Sequence, residues 1–576
     1  MGVPIHRFLA GPVLFFGFLL VPAFLTPAAD SSHGTVAPAA AQARPSASPE
    51  EVQSRLATIG LPDYAAEDVR GRDLWKAVHR FYQARGYSPA WVAGGHLTRQ
   101  AEGLLRAALQ SGGDGMDAAP YAELASQARG IRKASAADWA DPALDLDLRT
   151  TYMLLRYADE MTNGRFDPRG KSAYWSLQPA GADVVPLLAR ACQTGLTDEL
   201  KTALSPQHPQ YQALRRELER YRGLARRGGW EELEPGPALK PGLRGPRVAA
   251  LRARLAAGGD LAEDPASDAY DAAMAAAVEQ FKSRHGLAAD AVVDTATVAA
   301  LDVPVEERIR QIELNLERWR WLPRPLGERY VLVNIPTFEL HGYEAGRRTI
   351  HMRVVTGTAG ETPTPVLAER MTHLVFSPYW NVPPGIAQEE VAPAAWHNRT
   401  YLARNNMDVL RGNQVVDPWS VDLGDPRLQF RQRPGPGNSL GRVKFMLPNR
   451  YNVYLHDTPA KSLFARVRRD YSHGCVRVHQ PFELAQWVLQ GTDWTAQRIR
   501  AAMDTGREKH VRLAEPVPVY VSYFTVWVDD EGRAQFRPDV YRHDAAHETL
   551  LPAAPPRDET PSLKVAGAVS AVPAVF

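Results

Sequence analysis

The hydrophobic period of this chain changes once, near Tyr330, and that change limits what the chain can fold into. Upstream, apolar residues recur at helical spacing, as in Leu74, Val78 and Phe81 of DLWKAVHRFYQARGY and in Leu148, Met153, Leu154 and Tyr157 further on. Such spacing lays one apolar stripe along a helix. Downstream stand YVLVNIP, TIHMRVVTG, HLVFSPYW, RVKFMLP and YNVYLHD, short β-branched or aromatic runs bounded by Gly, Pro and Asn. These read as strands. The expected fold class is therefore multidomain α+β. Its 576 residues point the same way, because single cores stop growing at roughly 250–300 residues.

Punctuation along the chain gives the divisions. Residues 51–235 read as a helical scaffold domain in which nothing advertises chemistry. EPGPALKPGLRGPRV is a Pro/Gly boundary, and a small three-helix unit follows over 236–303. Met274, Val278 and Phe281 share a helix face there, HGL ends that helix at a glycine, and DTATVAAL opens the next with a capping residue. A connecting helix spans 304–328, with Ile309, Ile312, Leu316 and Trp319 on one face. The mainly β domain occupies 329–545. Between about 386 and 437 the alternation stops, and the polar stretch ending in RQRPGPGNS predicts an inserted loop or cap. Residues 30–50 and 546–576 are Ala, Pro and Ser-rich and read as a disordered linker and tail.

At the N-terminus, residues 1–29 contain one early positive charge and an uncharged run, Phe8 to Leu25, broken by Pro12 and Pro22. This is similar to a secretory signal or to an uncleaved membrane anchor, and both readings place the rest of the chain outside the cytoplasm. A formal charge of +2 is too weak for a nucleic-acid partner.

Only Cys192 and Cys475 could form a disulfide. Cys192, in LLARACQTG, reads as a small buried filler, and Cys475 is expected to be free. Its setting, YSHGCVRVHQP, brings a thiol close to histidine, glycine and arginine. A thiol attacks as thiolate and needs a base. His456, at the end of YNVYLHD, is the first choice for that base, ahead of His473. Asp457 is expected to orient His456 through its carbonyl or its carboxylate. The amides of Gly474 and Cys475 could form an oxyanion hole, since a glycine before the nucleophile lets the backbone approach substrate. Such a constellation implies acyl transfer through a thioester. Arg477 is either a strand salt-bridge residue or a binder of a substrate carboxylate. Tyr379 and Trp380 either line the pocket or pack in the core. A zinc set of His456, His473, Cys475 and His479 would need a spacing that is not a standard zinc pattern, so no metal is expected.

HDTPAKSLFARVRRDYSHGCVRV resembles the active-site segment of L,D-transpeptidases with the YkuD-type catalytic fold. The resemblance puts that family's general base on His456, its nucleophile on Cys475, its pocket histidine on His473 and its motif serine on Ser472. Arg477 stands where the family usually has Asn, a departure shared by its larger, lid-bearing branch. VVTGTAGETPTPV, SPYWNVPPGIA and PVPVYVSYFTVWVDDEGRAQFRPDVY match that branch too. Residues 239–301 are similar to a three-helix peptidoglycan-binding domain, with VVD in place of a VVG-like turn. The resemblance implies a periplasmic enzyme whose partners are peptidoglycan stem peptides, a donor tetrapeptide and an acceptor amine. It implies 3→3 cross-linking with release of D-alanine and no cofactor. The acceptor could be a second stem, a free D-amino acid or a lipoprotein lysine. A secreted cysteine peptidase or amidase, and an inert wall-binding scaffold, are the other readings.

Overall fold

The computed structural model describes residues 47–131, 140–179, 181–262 and 267–551. The expected signal or anchor, most of the linker and the tail beyond 551 lie outside the described residues. Among the described residues no helix is long and apolar enough to cross a membrane.

In the helical region the apolar stripe is the core. Leu74, Val78, Phe81, Leu148, Met153, Leu154 and Tyr157 are all buried in one cluster. The helix Val69–Ala84 starts at Asp68, whose carboxylate accepts the Gly71 N–H. The helix Ala140–Asn163 buries Asp147, whose carboxylate accepts the N–H groups of Ala90, Trp91 and Val92. That clamp holds a short hairpin, β1 (Val92–Ala93) and β2 (His96–Leu97), against the helix.

The small unit has helices Pro246–Gly258, Ala272–Arg284 and Thr295–Leu301 around its own core of Leu251, Leu255, Met274, Val278, Phe281 and Leu301. Asp294, the last residue of VVD, caps the third helix by accepting the Thr297 N–H at 2.8 Å. Thus the departure from a VVG-like turn has a helix-starting role. Arg284 ties the unit to the β domain, pairing with Asp260 while its Nη1 donates to the Ala534 carbonyl at 3.0 Å.

The segment expected to be a connecting helix is helical and is also a core element. Val305–Arg320 buries Ile312, Leu316 and Trp319 in the largest core, but also Glu317, Arg318 and Arg320. Glu317 lies between Arg165 at 3.0 Å and Arg320 at 2.7 Å, and Arg318 meets Asp544 at 2.6 Å. Pairing is what lets these charges leave water, since an unpaired buried charge costs several kcal/mol. The β domain likewise continues past 545, because the helix His543–Glu548 packs on this core and Leu551 is buried.

The β domain contains β3 (Arg329–Asn334), β4 (Glu339–Glu344), β5 (Arg347–Gly357), β6 (Leu367–Phe376), β7 (Trp380–Asn381), β8 (Met407–Arg411), β9 (Gln414–Val416), β10 (Leu428–Gln432), β11 (Val443–Met446), β12 (Leu455–His456), β13 (Asp470–Ser472), β14 (Val476–Val478), β15 (Lys509–Ser522), β16 (Val526–Val528) and β17 (Ala534–Phe536). Nine of these form one sheet in the order β13-β5-β14-β12-β11-β6-β15-β3-β4, and β4 pairs back to β5. The hydrogen-bonded circuit therefore closes on itself, which leaves few free edges. β12 and β14 lie side by side in parallel at the centre of it.

The inserted stretch is not a loop. It is a folded unit with a four-stranded sheet, β7-β10-β8-β9, and a core of Val382, Val391, Ala395, Leu402, Val409 and Phe430. It begins at Trp380, a few residues before the expected boundary. Its strands are short and interleaved with charge, such as Asp408 held by Arg431 and Arg433, so the alternation is hard to see in the sequence.

Candidate active site

The backbone around Cys475 is a turn built by side chains. Gly474 has φ +105°, a left-handed value that side chains rarely tolerate. The Ser472 hydroxyl accepts the Gly474 N–H at 3.2 Å and donates to the Cys475 carbonyl at 2.5 Å. Ser472 is 2% exposed, so it shapes the turn and does not face substrate, contrary to the substrate-binding role expected for it. The same bond corrects the expected oxyanion hole. The Gly474 N–H is already engaged, whereas the Cys475 N–H has no protein partner among the described residues.

Two threonines that the sequence reading gave no role complete the turn. Thr364 Oγ1 donates to the Gly474 carbonyl at 2.7 Å and accepts the Gly357 N–H at 2.8 Å. Thr362 Oγ1 donates to the Ser472 carbonyl at 3.0 Å. They belong to ETPTPV, where Pro363 and Pro365 lack N–H groups and leave the hydroxyls as donors. That alternation of Thr and Pro was the available signal.

The parallel register pairs His456 with Arg477 and Leu455 with Val476. Carried back one residue, it sets Tyr454 beside Cys475, and the Val476 N–H donates to the Tyr454 carbonyl at 3.1 Å. Alternation then directs Tyr454, His456, Cys475 and Arg477 to one face of the sheet. The imidazole is diagonal to the thiol. No hydrogen bond joins them in the resting structure; the thiol's partner is the Asn452 carbonyl at 3.9 Å. Catalytic hydrogen bonds are commonly long or misaligned before substrate binds.

His456 is 4% exposed, and its Nδ1 lies 2.5 Å from the Asp457 carbonyl. A carbonyl only accepts, so the proton sits on Nδ1 and the lone pair on Nε2, the tautomer a base needs. Of the two routes expected for Asp457, the backbone one is present. Its carboxylate holds the loop, accepting the N–H groups of Arg442 at 2.9 Å and Thr458 at 2.7 Å and pairing with Lys461 at 2.6 Å. Gly441 lets that carboxylate in: a Cβ there would lie 2.3 Å from the Asp457 side chain.

Burial, helped by the Arg477 guanidinium, pushes the His456 imidazole down to about 3. Burial pushes the Cys475 thiol up to about 11, against the pull of the Tyr454 N–H and of Arg477. Both groups are therefore neutral at rest, a thiol and an imidazole, not a preformed ion pair. Arg477 has no carboxylate partner among the described residues, and its Nε is buried with no partner at all. Of its two expected roles, the strand salt bridge is absent.

The other expected residues sit at the inserted unit. His473 Nε2 meets Glu390 Oε1 of that unit at 2.6 Å, so the unit touches the residue two before the thiol. Tyr379 lies under the Arg431 guanidinium at 4.7 Å, and Trp380 packs against the inserted unit's core. Trp380 thus takes the packing role, and Tyr379 stacks on a guanidinium of the inserted unit without joining its core. Cys192 and Cys475 are unpaired. Cys192 is half-buried, with Arg85 Nη1 3.2 Å from its sulfur. Among the described residues, Glu339, His341 and His351, on β4 and β5, bring their ligand atoms within 4.8 Å of one another, close enough to hold a metal. Arg469 and Arg537 act on Glu339 and Arg348 acts on His341, a positive field that disfavours a cation.

Comparison with known proteins adds three family matches and several relatives. Residues 76–218 match a family described as "Scaffold domain", residues 244–301 "Putative peptidoglycan binding domain", and residues 328–511 "L,D-transpeptidase catalytic domain". A protein of Haemophilus influenzae named "Putative L,D-transpeptidase" is 32% identical over 240 residues, 41% of this chain and 48% of that protein. The chain thus spans about half the length of that curated relative. Among solved structures, the L,D-transpeptidase of Stackebrandtia nassauensis aligns over 50% of this chain and 95% of its own at 14% identity and a TM-score of 0.20. That of Xylanimonas cellulosilytica aligns over 50% and 99% at 17% identity and 0.16. Superpositions this loose carry no argument about the fold. From the family matches and the curated relative, the chain carries a YkuD-type L,D-transpeptidase catalytic domain, preceded by a peptidoglycan-binding domain.

Proposed function

We propose that the chain is a cysteine acyltransferase that forms 3→3 cross-links between peptidoglycan stem peptides. The observation that carries the reading is the face shared by Cys475, His456 and Arg477: a thiol, a neutral base of fixed tautomer and an uncompensated cation on adjacent strands.

His456 Nε2 takes the Cys475 proton as the sulfur attacks the carbonyl of the third residue of a donor tetrapeptide. The oxyanion that forms faces the Cys475 N–H. The carbon–nitrogen bond to the terminal D-alanine breaks, His456 returns the proton to the leaving amine, and a thioester remains. An acceptor amine then attacks the thioester, again losing its proton to His456, which restores the thiol. Arg477 takes a carboxylate of the donor stem through its planar fork. The inserted unit, held to His473 by Glu390, shields the thioester from water and favours transfer over hydrolysis. A cell-wall substrate of this kind supports a periplasmic location as part of the same proposal, and none of these steps requires a metal or organic cofactor.

Incubating the purified protein with tetrapeptide-bearing wall and analysing the muropeptides by mass spectrometry tests this. Cross-linked dimers with loss of D-alanine are expected. Shortened monomers alone would mean a peptidase, and an unchanged profile would mean an inert scaffold.

A further inference from the structure

A second feature lies on the other side of the segment that leads into the Cys475 turn. A cavity of about 430 Å³ opens between the small helical unit, at Gly286 and Leu287 of its HGL turn, and the β domain. Its charged lining is almost wholly cationic: Arg353, Arg466, Arg468, Arg469 and Arg537 against one carboxylate, Glu339.

Of these guanidiniums, Arg468 has a counterion, Asp470 at 2.6 Å. The other four have no carboxylate partner among the described residues, and backbone carbonyls satisfy three of them. Arg469, 8% exposed, donates to the carbonyls of Arg466, Thr337 and Phe338. Arg537 donates to those of Arg284 and Phe536, both at 2.8 Å, and Arg353 to that of Phe464 at 3.1 Å. Arg466 lies over the Tyr471 ring at 4.9 Å. Carbonyls meet a guanidinium's hydrogen-bond demand but leave its charge in place. Glu339, which also meets His351 at 3.4 Å and His341 at 3.5 Å, is a single carboxylate and leaves the four guanidiniums with a surplus of positive charge. Burial draws the Arg469 guanidinium down to about 10 against the opposing pull of Glu339, with repulsion from Arg353 and Arg537 adding to the fall.

We infer that this cavity is a second substrate site, which takes the carboxylates of a stem peptide other than the one being cut. Planar guanidiniums in convergence suit carboxylates in bidentate geometry. The position supports a wall peptide as the source, since one wall belongs to the peptidoglycan-binding unit and the other runs through Arg466–Arg469 straight into Asp470–Cys475. The choice of a stem peptide rests on the proposed function; the anion site itself does not.

The test uses the full chain with Cys475→Ala, so that nothing turns over, and calorimetric titration with three probes: a tetrapeptide stem, the same stem with its carboxylates amidated, and inorganic phosphate. Two binding events are expected for the stem and none at the cavity for the amidated stem. Replacing the exposed pair Arg353→Gln and Arg466→Gln, of which only Arg353 gives up a part-buried bond, to the Phe464 carbonyl, should weaken one event by roughly tenfold per guanidinium and spare the other. A single event, or two events both indifferent to this pair, overturns the proposal. Phosphate binding at the cavity as tightly as the stem overturns the assignment to a peptide. A protein that cross-links stems yet shows one event refutes the cavity alone; one that binds twice yet forms no thioester when Cys475 is restored refutes the catalytic reading alone.

Discussion

Raising the pH should activate Cys475 far beyond the neutral range. With the thiol pushed up to about 11, only about one molecule in ten thousand is thiolate at pH 7, and each pH unit multiplies that fraction about tenfold. Alkylation of Cys475 by iodoacetamide, followed by mass spectrometry of the Cys475 peptide, should therefore accelerate about a hundredfold between pH 7 and pH 9 and continue to rise toward pH 10. His456, held neutral to about 3, gives no thiolate–imidazolium plateau in between. His456→Ala should leave the alkylation rate at pH 10 unchanged, because bulk hydroxide and not the neutral imidazole sets the thiolate fraction there. The same variant should slow enzymatic acylation at pH 7 by roughly 10²–10⁴-fold, the usual contribution of a positioned base. A rate that levels off below pH 8, and falls when His456 is removed, would refute the neutral resting pair.

Three further outcomes follow from named contacts. Arg477→Gln should raise KM for the donor stem more than it lowers kcat, and should slow alkylation at pH 9, because the guanidinium also draws the thiol pKa down; equal effects on the wild-type and amidated stems would contradict the carboxylate role. Gly441→Ala, with φ +61° and a Cβ that collides with Asp457, should displace the carbonyl that orients His456 and cost activity while far-UV circular dichroism stays native; full activity would remove Asp457 from the account. Thermal stability should decline as pH falls below about 6.5, because the unfolded chain then protonates histidines that burial keeps neutral in the fold: His208 and His543, lowered to about 4, and His456, lowered to about 3. Each such group costs about 1.4 kcal/mol per pH unit down to its folded value, so a melting temperature flat from pH 7 to pH 5 would contradict their burial.

The catalytic segment was the most legible part of the chain, since Ser472 to Cys475 is contiguous and His456 lies on the neighbouring strand. Directions were not legible. Whether Gly474 offers its N–H to a substrate or to Ser472 depends on a left-handed φ that no residue pattern encodes. Thr362 and Thr364 were visible only as a Thr/Pro alternation, because their partners lie more than a hundred residues away. The helical period gave the stripe of Val305–Arg320, but its charged residues looked solvent-facing; their partners, Arg165 and Asp544, come from both ends of the fold. The inserted unit was hidden by short strands and by charges that pair within it.

Intact-protein mass spectrometry during incubation with a tetrapeptide stem addresses the central claim most directly. An adduct equal to the stem minus D-alanine should appear on Cys475, vanish when an amine acceptor is added, and be absent from Cys475→Ala. No adduct on the wild-type protein, or one that persists in the variant, would contradict it.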